Sequence, residues 1–404
     1  MKLQQFDSLF RIPTYRLFLV CMLLQGMAIS ISAPFLAVYF TTRLEVSIAT
    51  FGLFTAVTLM AGVLFSSWIA RRSDQPGARK KILVSAMICN ALAFGGYLWI
   101  HDFTLLFIYM TVLTALGSPA MPQLFAAARE AVNTATDVDH AVANSTLRSA
   151  FSLGFITGPL LGTLLIAYIG YTGIFSSTCF IFLINALLFF FLLKKAPEPP
   201  SIGASSGGIH IKLHQDARIY MPFLITTLLY MAHWMNNLNA SLFIIHHLGG
   251  GTREVGWISS LCAGLEIPIM LGLGLLASKY PNRSLMLWGS LMGAAYYVIV
   301  LFSTELWHLL AGQLLLAFFV AVISAIGISY MQDLLPSMPG YASTLYSNAS
   351  TLGRLFGSLV GGWTAGAWGY RNSYWVCLLL VLISLGMLVV TQQLSKEKRQ
   401  TLSL

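Results

Sequence analysis

The sequence predicts an all-α membrane protein of twelve transmembrane helices, arranged as two pseudo-symmetric six-helix halves. Three observations carry that expectation. Of the 404 residues, 57% are hydrophobic and only 9% charged, against about 25% charged in an ordinary soluble domain, so no soluble fold hides this much apolar surface. Uncharged apolar runs of about 20 residues, the length a helix needs to cross ~30 Å of hydrocarbon, recur from Leu17 onward between short polar breaks. One long polar break then divides those runs six and six.

The expected spans are 15–40, 49–70, 82–100, 103–127, 141–168, 172–193, 219–247, 254–278, 284–302, 306–334, 341–368 and 371–393. The first has Arg11 and Arg16 ahead of an apolar run ending in small residues at Ser30 to Ala33, as a secretory signal would. Its hydrophobicity continues past Pro34 to Phe40, too long for a signal core, and the rest of the chain is equally apolar. The polar break carries Pro197, Pro199 and Pro200, then Gly203, Ser205, Ser206, Gly207 and Gly208, and reads as a mobile cytoplasmic linker. The expected organisation is therefore a half over 1–194, a linker over 195–217 and a half over 218–404.

A net charge of +9 invites a nucleic-acid partner, but its placement argues against one, because the cations cluster in alternate loops. With the N-terminus in the cytoplasm, the inner side receives Lys2, Arg11, Arg16, Arg71, Arg72, Arg79, Lys80, Lys81, Arg129, Lys194, Lys195, Lys212, Arg218, Lys279, Arg283, Lys396, Lys398 and Arg399. Only Arg43, Arg253 and Arg371 fall outside. That is the positive-inside pattern, with both termini cytoplasmic and the lipid bilayer as the partner. Cys21, Cys89, Cys179, Cys262 and Cys377 fall singly within spans, with no C-x-x-C pair, and read as small buried residues rather than disulfides or ligands.

The halves match weakly in sequence. Gly154, Gly158, Gly162, Gly170 and Tyr171 recur 199 positions later as Gly353, Gly357, Gly361, Gly369 and Tyr370, while Gly52 and Arg79 find Gly256 and Arg283 204 later. Two parallel six-helix repeats with a solute site between them near the midplane is a known transporter arrangement. A four-residue spacing puts the glycines on one face of spans five and eleven, so neighbouring backbones approach closely and slide as the halves rock. Static packing of small residues is the alternative for each.

After span two the chain reads Ser73-Asp74-Gln75-Pro76-Gly77-Ala78-Arg79-Lys80-Lys81. It resembles the acidic, glycine and basic signature of the major facilitator superfamily, with one more residue than the commonest form between Asp74 and the basic pair. The resemblance implies the major facilitator fold and a cytoplasmic latch of Asp74, Gly77, Arg79 and Lys80. Asp74 would accept from orphan amides at a neighbouring helix start while the cations hold the inner face. A solvated basic loop is the alternative, and the counterpart Lys279 to Arg283 lacks the acid. Three further stretches resemble the sugar efflux transporter (SET) family: Ala120-Met121-Pro122-Gln123-Leu124-Phe125-Ala126 with Ala128-Arg129-Glu130, then Gly264-Leu265-Glu266-Ile267-Pro268, and Gln332-Asp333-Leu334. This likeness, over about Pro34 to Tyr374, implies proton-driven export of sugars or glycosides across a bacterial inner membrane. A monomer is the expected state.

Polar groups within hydrocarbon are costly and therefore informative. Span eight contains Glu266 about midway. A carboxylate there lacks the solvation to stay charged without a partner, and a group that toggles is what proton coupling requires. Pro268 frees the carbonyl of Gly264 one turn back and kinks the helix beside the acid. The alternative is a structural ion pair, for example with Arg354. Span seven carries His233, Trp234, Asn236, Asn237 and Asn239 near its centre. At 100° per residue His233, Asn236, Asn237 and Ala240 share one face with Asn239 at its margin, predicting a stripe that lines a wet path. Amides suit sugar hydroxyls, and Trp234 or Tyr230 would cover the apolar face of a pyranose ring, although packing is the commoner role of such aromatics.

Gln25 and Gln123 are further candidate solute contacts, followed by Asn144, Arg148, Gln313 and Asn348. Asn90 and Asn185 fall on spans three and six, outer scaffolding in this fold, where they are expected to join helices by hydrogen bonds. Asp137-Val138-Asp139-His140 reads as helix-capping and first-turn residues rather than a metal site. His246-His247 has no evident third ligand. No nucleotide-binding glycine loop is present, and no cofactor is expected. The main rival within transport is a proton-coupled multidrug exporter of the same fold. A solute sensor is a more distant rival, since both cytoplasmic segments are short. An intramembrane enzyme is disfavoured because no nucleophile and base fall together.

Overall fold

A computed structural model describes residues 12–73, 78–133, 140–193, 217–335 and 339–401. Among these residues all regular structure is helical. The first six rods are α1 (Pro13–Thr42), α2 (Ile48–Ser73), α3 (Ala78–Trp99), the pair α4 (Phe103–Gly117) and α5 (Ala120–Asn133), α6 (His140–Ile169) and α7 (Tyr171–Leu192). The second six are α8 (Ala217–His247), α9 (Thr252–Leu276), α10 (Asn282–Phe302), the compound rod α11 (Leu306–Ala321) and α12 (Gly327–Leu334), α13 (Pro339–Trp368) and α14 (Tyr370–Thr401). Ten of the twelve rods are long and apolar enough to cross a membrane by composition alone. The other two, α8 and α13, carry the asparagines, serines and glycines that lower their hydropathy.

Two compact units divide the described residues. One is built from Met1–Val46 with Val57–Ser206, the other from Ser47–Ala56 with Gly207–Leu404. In the first, α1 packs on α6 and α7, and α3 on α7. Its core gathers Tyr15, Phe18, Met22, Leu83, Met87, Leu124, Leu147, Phe182 and Phe189. The break between α4 and α5 falls at Ser118, whose hydroxyl donates to Gly62 O of α2 at 2.8 Å. Asn90 donates to Gly117 O at 3.1 Å and Asn185 to Cys21 O at 3.5 Å, so both amides join neighbouring helices as expected. The five cysteines are free.

The repeated glycines explain how each unit closes. On α6, Gly154 and Gly158 lie against Leu23, Met27, Ser30 and Ile31 of α1, and Gly162 against Ile31. On α13, Gly353 and Gly357 lie against Thr227, Met231 and Trp234 of α8, and Gly361 against Met235. Leu23 and Thr227, Met27 and Met231, Ser30 and Trp234, Ile31 and Met235 are each 204 positions apart, so both surfaces of the contact repeat. A side chain at Gly357 would put Cβ 2.7 Å from Met231 O and 2.9 Å from Trp234 Cβ, so glycine there is what permits the approach. Gly170 and Gly369, at φ 81° and 83°, end α6 and α13 in the left-handed region, which glycine enters without steric cost.

Within the tenth rod, Val322–Ile326 form a π turn between α11 and α12, closed by the Gly327 amide donating to Val322 O. The wider turn is accommodated by α10, where Gly289 faces Val322 and Gly293 faces Phe319.

Candidate solute and proton site

The polar side chains of α8 are distributed over different neighbours. Asn236 is buried at 4% exposure and its Oδ1 accepts from the Tyr296 hydroxyl of α10 at 3.1 Å. Gln313 lies beside the same hydroxyl, which links α8, α10 and α11 through one tyrosine. Asn239 is fully buried, and its amide nitrogen donates to Gly361 O of α13 and to Ser373 Oγ of α14, both at 3.2 Å. Asn237 is exposed. His233 and Trp234 are half-buried with their rings edge to face, centroids 5.7 Å apart. The His233 Nδ1 is enclosed and has no hydrogen-bond partner. Two amides of the sequence-predicted stripe thus serve helix contacts, while Asn237 is exposed and His233 and Trp234 are half-buried.

Glu266 lies near the middle of α9, half-buried, one turn beyond Cys262 and two residues before Pro268. Among the described residues it makes no ion pair. Arg354, midway along α13, is not its partner. That guanidinium instead stacks on the Trp234 ring with Cζ 4.2 Å from the centroid, and its enclosed Nε has no acceptor. The glycine stripe sets this geometry: Gly353 and Gly357 bring α13 against α8, and Arg354 follows Gly353 directly.

In the other unit, Gln25 and Gln123 are buried, at 3% and 5% exposure, and each has an enclosed Oε1 without a partner. Of the expected latch, Asp74 and Gly77 lie outside the described residues, as do Asp137 and Asp139. Arg79 and Lys80 begin α3, where the Lys80 ammonium donates to Leu193 O past the end of α7 at 2.6 Å. The second half repeats this tie, with Arg283 at the start of α10 donating to Leu388 O of α14. Beside it, Asp333 of α12 accepts from Asn282 of α10 at 2.8 Å. Gln332 beside it donates to Ser343 at 2.9 Å.

Sequence reasoning missed one cluster. The Tyr346 hydroxyl of α13 lies 3.0 Å from both Ile323 O and Ser324 O of the π turn and 2.6 Å from the Tyr230 hydroxyl of α8. Tyr346 has one proton and two carbonyls to serve, so Tyr230 is the donor between the hydroxyls. Nothing in the local sequence marks Val322–Ile326 as a π turn, and Tyr346 reads as one aromatic among many.

Twelve helical rods in two repeated halves, with an acid midway along α9 and a guanidinium midway along α13, are the architecture of a polytopic membrane transporter rather than an enzyme. The chain belongs to the Major Facilitator Superfamily, whose sequence profile matches residues 18–218 and 222–403. It is 32% identical over 380 residues to sugar efflux transporter A of Escherichia coli strain K12, covering 92% of this chain and 94% of the relative. With sugar efflux transporter B of Salmonella typhimurium strain LT2 it shares 29% identity over 369 residues, covering 91% and 93%. The solved structure of the nucleoside transporter NupG matches at TM-score 0.77 with 14% identity, covering 95% of this chain and 99% of that one, a likeness of fold alone.

Proposed function

We propose that this transporter exports sugars or glycosides from the bacterial cytoplasm by alternating access, driven by proton exchange, with both termini on the cytoplasmic side of the inner membrane. The observation that carries the substrate class is the 32% identity, over nearly the whole chain, to a protein named as a sugar efflux transporter. Proton exchange is supported by Glu266, the one acid deep within a span of the sequence. It takes up a proton when the path opens to one side and releases it on the other. Trp234 offers its ring to the apolar face of a pyranose. His233 and Asn237, with Gln25 and Gln123, offer hydrogen bonds to hydroxyls, while Asn236 and Asn239 hold α8 in place. Asp74, Gly77, Arg79 and Lys80 steady one access state as a latch.

The test is flux in proteoliposomes. Labelled lactose should exchange for unlabelled lactose and should accumulate against its gradient when a pH difference is imposed. Lipophilic cations should not compete. Competition by such cations with no effect of sugars would assign the protein to multidrug export, and ligand binding without flux would make it a sensor.

A further inference from the structure

Arg354 sits fifteen residues from the start and fourteen from the end of the thirty-residue α13, roughly 22 Å along the axis from each at 1.5 Å per residue, which places it near mid-membrane. The sequence holds only Arg148, Glu266 and Arg354 as charged residues more than a turn inside the expected spans, so cations outnumber acids there. Among the described residues no carboxylate pairs with Arg354, and its enclosed Nε has no acceptor. The Trp234 face beneath it gives a cation–π contact, which offsets only part of the desolvation of a charge held in low dielectric. His233 Nδ1, on the ring edge-on to the same Trp234, is a second enclosed nitrogen without a partner. The Arg354 Nε–H is a donor that lacks an acceptor, which a carboxylate supplies with the opposite charge and a neutral sugar does not, and the imidazole Nδ1 beside the same indole donates to it in one tautomer.

We propose that Arg354 and His233, flanking Trp234, bind a carboxylate carried by the transported solute, so that the preferred substrates are acidic sugars such as uronic acids. The charge count selects a monoanion. One guanidinium balances a single negative charge, whereas a phosphate dianion would leave an excess within the membrane. The pyranose lies on the free part of the Trp234 surface with its carboxylate toward the guanidinium, which makes two parallel N–H···O bonds of the kind a planar fork favours. This inference rests on the sugar-export reading for the pyranose and on Arg354 and His233 for the acid.

The experiment compares binding of glucuronate and glucose, which differ only at C6, with benzoate as an acid lacking the sugar, to the purified full chain in detergent. The parent should bind glucuronate at least about tenfold more tightly than glucose, a difference of about 1.4 kcal/mol. Arg354→Gln should bring the ratio of glucuronate to glucose affinity to within about twofold of one, and the unfolding midpoint of the variant in detergent reports that it is folded. Arg354→Lys should keep part of the preference. Equal affinities for the two sugars in the parent would overturn the carboxylate site and leave sugar export standing, and this comparison needs no variant to fold. A preference that survives in Arg354→Gln would overturn it equally. Binding of benzoate through Arg354 with neither sugar bound would keep the anion site and remove the sugar reading.

Discussion

Replacing Tyr346 by Phe isolates one oxygen atom and tests whether the π turn is held from outside its own rod. The ring contact to Tyr230, centroids 6.1 Å apart, survives the change. What is lost is the proton serving Ile323 O or Ser324 O, each 3.0 Å away, and the acceptor of the Tyr230 hydroxyl at 2.6 Å. Two hydrogen bonds contribute about 0.5–1.5 kcal/mol each. Tyr230 recovers part of this by turning its proton to Ile323 O, 3.5 Å distant, so the net destabilisation should be about 1–2 kcal/mol. Denaturant unfolding of the purified protein in detergent measures it, and amide hydrogen exchange over 322–330 localises it. In a double-mutant cycle with Tyr230→Phe the coupling should be about 0.5–1 kcal/mol, because the Tyr230 hydroxyl acts mainly through Tyr346. An unchanged unfolding midpoint, with unchanged exchange over that segment, would refute the reasoning.

Two further outcomes follow from the packing of α8. Gly357→Ala places a Cβ 2.7 Å from Met231 O, an overpacking that should cost about 1–3 kcal/mol; Gly366→Ala, at an ordinary 3.5 Å from Ala49, should be neutral or stabilising in the same unfolding assay. Asn239→Leu removes two buried hydrogen bonds, to Gly361 O and to Ser373 Oγ, and should cost about 1–3 kcal/mol of stability, whereas Asn237→Leu should leave stability unchanged and weaken sugar binding, read by titration of the two variants side by side.

Much of the fold was legible because its causes are local or periodic. Hydropathy locates ten rods directly, and the spacing of Gly154, Gly158 and Gly162 with that of their copies marks the contact faces before any partner is known. The partners repeat at a different offset, 204 rather than 199, and only the coordinates pair Leu23 with Gly154 and Thr227 with Gly353. The roles of the polar residues were less accessible, since each is set by a neighbour remote in sequence. Asn236 and Asn237 are indistinguishable as letters. Tyr296, 60 positions on, meets Asn236, and Ser373, 134 positions on, meets Asn239. Arg354 likewise stands as an alternative partner for Glu266 until the stacking on Trp234 is seen. The π turn has no periodic signature, because one wider turn shifts the apolar pattern by less than the scatter of an all-apolar rod.

The central claim, sugar export driven by protons through Glu266, is tested most directly by Glu266→Gln in proteoliposomes. Glutamine keeps the size and hydrogen bonding of the neutral acid but releases no proton. Counterflow of labelled lactose and accumulation driven by an imposed pH difference are measured in the same vesicles, with Glu266→Ala alongside. The account predicts that the Gln variant retains counterflow and loses pH-driven accumulation, while the Ala variant loses part of its binding as well. Normal pH-driven accumulation by Glu266→Gln would contradict it and leave Glu266, at most, a contact for the sugar.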